Sequence, residues 1–258
     1  MTGDALDPNT SAALAELLLT LADDEFVLGF WDSEWTGIAP ILEEDVAMSS
    51  VSQDEIGHAK ALYELLAELT GEDADRIAFG RPADAYRHAA LMNHARTDWA
   101  FSIARRFLYE HADAVRLESL ADSKYQPLAD LAVKMRREET YHLLHFDLWL
   151  RRLAEGGDDS HARLAEAIAA LWSDAQAVFA PLAGEACLVA ARILPESLEA
   201  LRSRWLERVT ERLKAAHLPV PAATDRPGAE GRTQRTDEFA WLHGEFTMVS
   251  GSEADATW

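Results

Sequence analysis

The sequence has few basic residues and almost no cysteine. Its 258 residues include 24 Lys and Arg against 45 Asp and Glu, so the formal net charge is −21. Nucleic-acid binding requires clustered cations that neutralise phosphates, and this charge balance argues against it. An acidic surface fits solubility or a basic partner protein instead. The single cysteine, Cys187, excludes an internal disulfide, and we expect it to pack as a small apolar residue.

Long apolar runs are also missing. No stretch approaches the roughly 18 apolar residues that a membrane-spanning helix requires. The first residues, Met1-Thr2-Gly3-Asp4, contain neither the basic nor the apolar region of a signal peptide. We therefore expect a cytoplasmic protein that binds no membrane.

Glycine and proline are sparse over the first two hundred positions, whereas alanine and leucine abound, and this composition favours an all-α fold. Ser11 suits the N-cap of a first helix, and Pro195 suits the first turn of a later one. Gly71 and Gly156 suit helix ends. The spacing of apolar residues predicts long helices over 11–35, 41–70, 94–119, 125–153, 160–182 and 195–216, a short helical segment around 86–92, and a connection over 76–82.

The character of the sequence changes after His217. Proline and glycine recur between 218 and 235 without an apolar pattern, which predicts a linker. The stretch 239–248 then contains too many large apolar side chains for a free tail. We predict a helical bundle over 1–217, a linker over 218–235, and a C-terminal docking helix and tail over 236–258.

Two short motifs of the form Glu-x-x-His lie inside the predicted helices. One consists of Glu55 and His58, and the other of Glu139 and His142. Residues three apart share a helix face, so each glutamate and its histidine converge on one point. Both motifs interrupt apolar stripes that we expect to face the core.

Two further helices place a carboxylate in an apolar stripe, at Glu25 and at Glu110. Ionised carboxylates in an apolar core are costly unless cations neutralise them, and two divalent metal ions would balance four glutamates. Two Glu-x-x-His motifs, joined by a glutamate from each of two other helices, form the ligand set of a dinuclear iron or manganese site in a four-helix bundle.

The sequence separations favour one depth for these residues. Glu55 follows Glu25 by 30 residues, and Glu139 follows Glu110 by 29. Each interval is about eight helical turns, which lets the chain end one helix, reverse, and return to a similar depth. The predicted metal ligands are Glu25, Glu55, His58, Glu110, Glu139 and His142.

Two of these assignments have rivals. Asp23, Asp24 or Glu34 would replace Glu25 if the first helix had a different phase. His111 lies directly after the glutamate of the third long helix, and we expect its side chain to face outward.

Asp54 and Glu138 each lie four residues before a motif histidine. Each acid could reach the ring N–H of the histidine in the opposite motif and so fix its tautomer. An ordinary role as a surface acid is equally compatible with the sequence.

The residues around both motifs resemble a known family. The segments 39–45, 53–58 and 138–142 (Ala-Pro-Ile-Leu-Glu-Glu-Asp, Gln-Asp-Glu-Ile-Gly-His and Glu-Glu-Thr-Tyr-His) are similar to the ferritin-like subunits of phenylacetyl-CoA epoxidase. This multicomponent bacterial monooxygenase belongs to aerobic phenylacetate degradation. The acidic segment, the chain length and the ending Ala256-Thr257-Trp258 look like the accessory C subunit, whereas the two motifs look like the catalytic A subunit.

This resemblance implies a ferritin-like four-helix bundle with additional C-terminal helices. It implies a subunit of an aromatic acyl-CoA (phenylacetyl-CoA) ring-epoxidising monooxygenase, in which the six ligands bind two iron ions; manganese stays open as the metal. The implied partners are the other subunits of such a complex, especially a ferritin-like catalytic subunit, and a homodimer stays open. One alternative is a non-catalytic scaffold subunit of that complex. A ferritin-like iron oxidation or storage protein is a weaker one.

Overall fold

The structure, a computed structural model, describes residues 6–225 and 227–252. Within these ranges the secondary structure is helical and contains no strand, so the all-α fold class is confirmed. The beginning of the predicted bundle (1–5) and the end of the predicted docking segment (253–258) lie outside the described residues. The α-helices are α1 (Pro8–Ser33), α2 (Leu42–Thr70), α3 (Ala74–Phe79), α4 (Trp99–Leu120), α5 (Gln126–Glu155), α6 (Asp158–Ala175), α7 (Glu185–Ala190), α8 (Leu198–Ala215) and α9 (Asp237–Ser252).

Helix α1 begins earlier than predicted because an aspartate caps it. The Asp7 carboxylate accepts hydrogen bonds from the backbone N–H groups of Asn9, at 3.0 Å, and Thr10, at 3.1 Å. These bonds satisfy amide groups that have no partner within the helix. The prediction of Ser11 as the N-cap is therefore wrong.

The end of α2 agrees with the prediction. Gly71 has φ 77°, the left-handed conformation in which glycine carries no steric penalty. Its N–H donates to the carbonyl of Ala67 at 2.8 Å and closes the last turn. A helix C-terminus therefore forms at the position that the glycine predicts.

Side-chain caps also explain two further differences between the predicted and the observed helix starts. Asp73 accepts a hydrogen bond from the N–H of Arg76 at 2.9 Å and caps α3, which begins before the predicted connection over 76–82 and extends into it. Ser197 caps α8, so Pro195 precedes that helix instead of lying in its first turn. The segment 86–92 is mostly irregular, with a 3₁₀ turn only at Ala90–Asn93.

Two helical hairpins form the bundle. Helices α1 and α2 make one hairpin, and α4 and α5 make the other. Side chains of α1 contact α4, and those of α2 contact α5, so the two hairpins enclose a common core. Helices α6 and α8 cover the outer side of α4, most of whose residues are consequently buried.

The chain beyond α8 returns to the bundle. Arg232 is buried and donates to both carboxylate oxygens of Asp24 in α1, at 3.1 and 3.0 Å, and to the carbonyl of Val178 at 2.7 Å. Phe239 in α9 is fully buried, with its ring 5.5 Å from that of Tyr86. The segment 229–252 thus supplies both a cation and apolar side chains to the core.

No helix in the described part of the chain is long and apolar enough to cross a membrane.

His88 lies beneath the C-terminal segment. It is fully buried, its Nε2 is 2.9 Å from Oδ1 of Asn93, and its ring lies 4.2 Å from that of Phe239. Burial lowers the pKa of His88 well below its usual value, and the nearby charge of Arg235 lowers it further. The native state therefore holds this imidazole neutral.

We predict that His88 makes the fold less stable in acid. In the unfolded chain the imidazole binds a proton as pH falls through about 6.5, whereas the native one does not, so stability is present above that pH and is lost below it. This single histidine should cost about 1.4 kcal/mol of unfolding free energy between pH 7.5 and 5.5. Urea unfolding at both pH values should show a smaller loss for His88→Gln than for the parent protein. An equal loss in the two proteins would contradict a neutral His88.

Candidate metal centre

The structure brings all six predicted ligands together in the core of the bundle. The ligand atoms fall into two groups of four residues, and within each group they lie within 4.8 Å of one another. All the members are buried. The first group is Glu25, Glu55, His58 and Glu139, and the second is Glu55, Glu110, Glu139 and His142. Glu55 and Glu139 belong to both groups, so the two positions share a pair of carboxylates.

The polar atoms of these residues fit a cation. Nδ1 of both histidines and at least one oxygen of each of the four glutamates form no hydrogen bond within residues 6–225 and 227–252. Buried polar atoms are rarely left in that state, because each unmade hydrogen bond costs about 1–3 kcal/mol. Carboxylate oxygens and neutral imidazole nitrogens are suitable ligands for iron, manganese and zinc.

Hydrogen bonds at the other ring nitrogen orient both histidines. Nε2 of His58 lies 2.7 Å from Oε2 of Glu138, and Nε2 of His142 lies 3.2 Å from Oδ2 of Asp54. Each acid therefore contacts the histidine of the opposite motif. An Nε2–H that donates to a carboxylate leaves the Nδ1 lone pair directed at the cluster, and Nδ1 of each histidine is 3.2–3.3 Å from Oε1 of Glu139.

The environment inside the bundle raises the pKa values of three members of the cluster, His58, His142 and Glu25. Burial opposes protonation of His58 and His142, but contact with Glu139 prevails and raises the pKa of each to about 12. Burial and the neighbouring Glu55 raise the pKa of Glu25 well above its usual value. A metal ion would replace these protons, because metal ligands must be deprotonated.

The three acidic residues that were alternatives to Glu25 pair with arginines outside the cluster. Asp23 pairs with Arg81, and Asp24 accepts a hydrogen bond from Arg116 at 2.7 Å. Glu34 lies 3.6 Å from Arg96 near the surface. None of the three belongs to either ligand group, so the phase of α1 directs Glu25 at the cluster.

The prediction that His111 faces outward is wrong. Its side chain is fully buried, with Nε2 3.0 Å from Oδ1 of Asp147 in α5. The reason is that α4 is covered on its outer side as well, so that a residue facing away from the cluster is still enclosed.

Three polar residues beside the cluster, Tyr109, Arg106 and Arg116, were not among the predicted site residues. Tyr109 donates a hydrogen bond from its hydroxyl to Oε1 of Glu25 at 2.6 Å, and Arg116 donates to the same hydroxyl at 2.8 Å. The guanidinium of Arg106 contacts Glu55 and Glu110. A sequence signal for Arg106 exists, since it lies four residues before Glu110 and hence on the same helix face.

A four-helix bundle that surrounds carboxylates and Glu-x-x-His motifs defines the ferritin-like class of proteins. The family model described as "Phenylacetic acid catabolic protein" matches residues 2–258, and the chain belongs to this family.

Two curated relatives come from Escherichia coli (strain K12), and both are components of 1,2-phenylacetyl-CoA epoxidase. The C subunit of that enzyme is 31% identical over 215 residues, which cover 81% of this chain and 84% of the relative. Its A subunit is 25% identical over 232 residues, which cover 88% of this chain and 74% of the relative. The chain is thus similar to two different components of one enzyme.

We predict that the Tyr109 hydroxyl stabilises the native state. Tyr109→Phe removes the partner of a buried glutamate oxygen and of a buried guanidinium, which should lower the unfolding free energy by about 1–3 kcal/mol. Chemical denaturation measures this change. Tyr141→Phe is the control, since Tyr141 is 58% exposed and its substitution should change stability by no more than about 0.5 kcal/mol. Equal effects in the two variants would contradict the role of the hydroxyl.

Proposed function

We propose that this protein is a metal-carrying subunit of a multicomponent monooxygenase that epoxidises the ring of an aromatic acyl-CoA of the phenylacetyl-CoA type. The observation that carries the proposal is the pair of buried ligand groups that share Glu55 and Glu139. Family membership and the names of the two relatives supply the reaction class and the substrate type.

The six residues would hold two metal ions, for which we propose iron. Glu25 and His58 would bind one ion, Glu110 and His142 the other, and Glu55 and Glu139 both. When bound, a pair of iron ions supplies the redox chemistry that activates dioxygen.

The protein's own groups keep this site organised and closed. Glu138 and Asp54 hold the two imidazole rings by their Nε2 atoms, so that Nδ1 faces inward. Tyr109 fixes one oxygen of Glu25 and leaves the other directed at the cluster. Burial of all six ligands excludes bulk water, which strengthens the electrostatic interactions among them.

A partner subunit would cover an apolar surface formed by α2 and α5. Leu42 and Val46 of α2 and Leu144 of α5 are 64–74% exposed. Leu42 and Val46 lie one turn apart on one face of α2, and α2 and α5 are in contact in the bundle. Exposed apolar patches are typical of protein–protein contacts. We propose that these residues bind a ferritin-like subunit of the same complex.

We predict that metal binding depends on the shared glutamate and a motif histidine. After growth with iron, elemental analysis should find up to two iron ions per chain in the parent protein. The double variant Glu55→Ala and His142→Ala should lose most of them, because Glu55 belongs to both groups. The matched control is Glu44→Ala with His145→Ala, which removes a Glu–His pair from the same two helices outside the ligand groups.

The same two double variants test the role in catalysis. In a reconstituted complex, loss of phenylacetyl-CoA oxidation with the Glu55/His142 variant but not with the control supports the proposal. Full activity with metal-depleted protein would leave only the scaffold function. Manganese in place of iron would correct the identity of the metal.

We predict that charge on the apolar surface weakens assembly of the complex. Val46→Asp combined with Leu144→Asp should reduce co-purification with a coexpressed ferritin-like partner by about tenfold or more, because burying an unpaired charge in an interface is costly. Met248→Asp is the control, since Met248 is also 64% exposed but lies on α9. Undiminished co-purification would place the interface elsewhere.

A further inference from the structure

A buried guanidinium lies inside the second ligand group. Arg106 is fully buried, and its Nη2 lies 2.5 Å from Oε1 of Glu55 and in contact with Oε1 of Glu110. Its Cζ lies 4.8 Å from the ring centre of Phe146, which encloses the group from the side of α5. Two of the four ligands in the second group therefore already have a resident cation.

Arg106 leaves more of the carboxylate oxygens free in the first ligand group than in the second. Glu55 directs Oε1 at Arg106, whereas its Oε2 forms no hydrogen bond in the described part of the chain and lies 3.9 Å from Nδ1 of His58. Glu25 also retains an oxygen, Oε2, without a hydrogen bond among the described residues, 3.6 Å from the same nitrogen. An ion in the first group can therefore bind without displacing Arg106.

A metal ion in the second group would need the same oxygens as Arg106. Metal–oxygen bonds to carboxylates are about 2.0–2.2 Å long, so an ion bound to Glu55 and Glu110 would approach the guanidinium closely. Repulsion between cations at such short range is strong inside a protein. The guanidinium must move before the ion can bind both glutamates.

Asp32 is an alternative anionic partner for the displaced guanidinium of Arg106. This buried aspartate lies on the other side of Arg106, with Oδ2 3.4 Å from Nη1. Neither of its oxygens forms a hydrogen bond within the described ranges, although Arg105 Nη2 is 3.5 Å from Oδ1. A shift of about half an ångström would bring Arg106 into hydrogen-bond distance of this carboxylate.

We propose that Arg106 competes with the second metal ion for Glu55 and Glu110, and that Asp32 receives the guanidinium when that ion binds. The two positions would then fill in order, with the group around Glu25 and His58 first. This inference rests on the proposed function in assuming that the cluster binds metal.

Titration of the metal-free, full-length protein with Mn²⁺ tests the order of binding, with free Mn²⁺ followed by electron paramagnetic resonance. The parent protein should show one tight step and a second step at least about tenfold weaker, because the second ion must displace a charge at close range. Arg106→Gln should tighten the second step by about tenfold or more and leave the first nearly unchanged. Arg106→Lys, which keeps the charge, should retain the difference between the steps.

A second variant should change the affinity of the second step in the opposite direction, which a general loss of stability would not explain for both variants. Asp32→Asn removes the charge that would receive the guanidinium, so the second step should weaken further. Arg81→Gln is the control: it breaks the ion pair with buried Asp23, outside both ligand groups, and should leave both steps as in the parent protein. Circular dichroism establishes that each variant is folded.

The outcomes separate the inference from the proposed function. Two equally tight steps in the parent protein, or no tightening in folded Arg106→Gln, would overturn the competition while leaving metal binding intact. If neither the parent protein nor any variant bound Mn²⁺ or Fe²⁺, both the competition by Arg106 and the proposed metal-carrying function would be overturned. If Arg106→Gln did not fold, a second step unaffected by Asp32→Asn would overturn the inference.

Discussion

The balance of charge in the core is the constraint on which this structure depends. Four helices each direct a glutamate into a space closed to water, where like charges within a few ångströms cannot all stay ionised without cations. The surrounding residues act accordingly. The two imidazoles take up protons beside Glu139, Arg106 pairs with Glu55 and Glu110, and the carboxyl of Glu25 has a raised pKa. Metal ions or these internal protons and cations can each neutralise the four buried glutamates.

The fold class and the meeting of six ligands could be predicted because both depend on local patterns. Helical spacing places Glu55 beside His58, and a carboxylate that interrupts an apolar stripe must face the core. Arg106 shares a helix face with Glu110, but this spacing alone does not place it in the core, since an arginine on a helix is ordinarily a surface residue. His111 was wrongly expected outside because the coverage of α4 by α6 and α8 is a property of the packed structure. Helix starts depended on single caps such as Asp7, which a propensity pattern locates only approximately.

Family membership and the geometry of the core both bear on whether the buried cluster serves catalysis or only stabilises the subunit. The chain is similar to both the C and the A subunits of the E. coli epoxidase, and its core contains two groups of buried carboxylate and imidazole side chains that could hold metal ions. A bundle can use such a set in catalysis or only for cohesion. Under the competition that we propose for Arg106, a second metal ion binds only when the guanidinium leaves Glu55 and Glu110, so this arginine would link the electrostatics of the core to the role of the protein in its complex.

The ion pair between Arg232 and Asp24 also bears on the order of folding. Its partners are 208 positions apart in the sequence, and Asp24 is directly adjacent to Glu25. During synthesis α1 leaves the ribosome early, but this countercharge arrives only when nearly the whole chain has been made. Contacts between such distant positions form late and slow folding. Of the two arginines that donate to Asp24, Arg116 and Arg232, only Arg116 can pair with it until residue 232 has been made, so the packing of α1 depends on synthesis of the segment that follows α8.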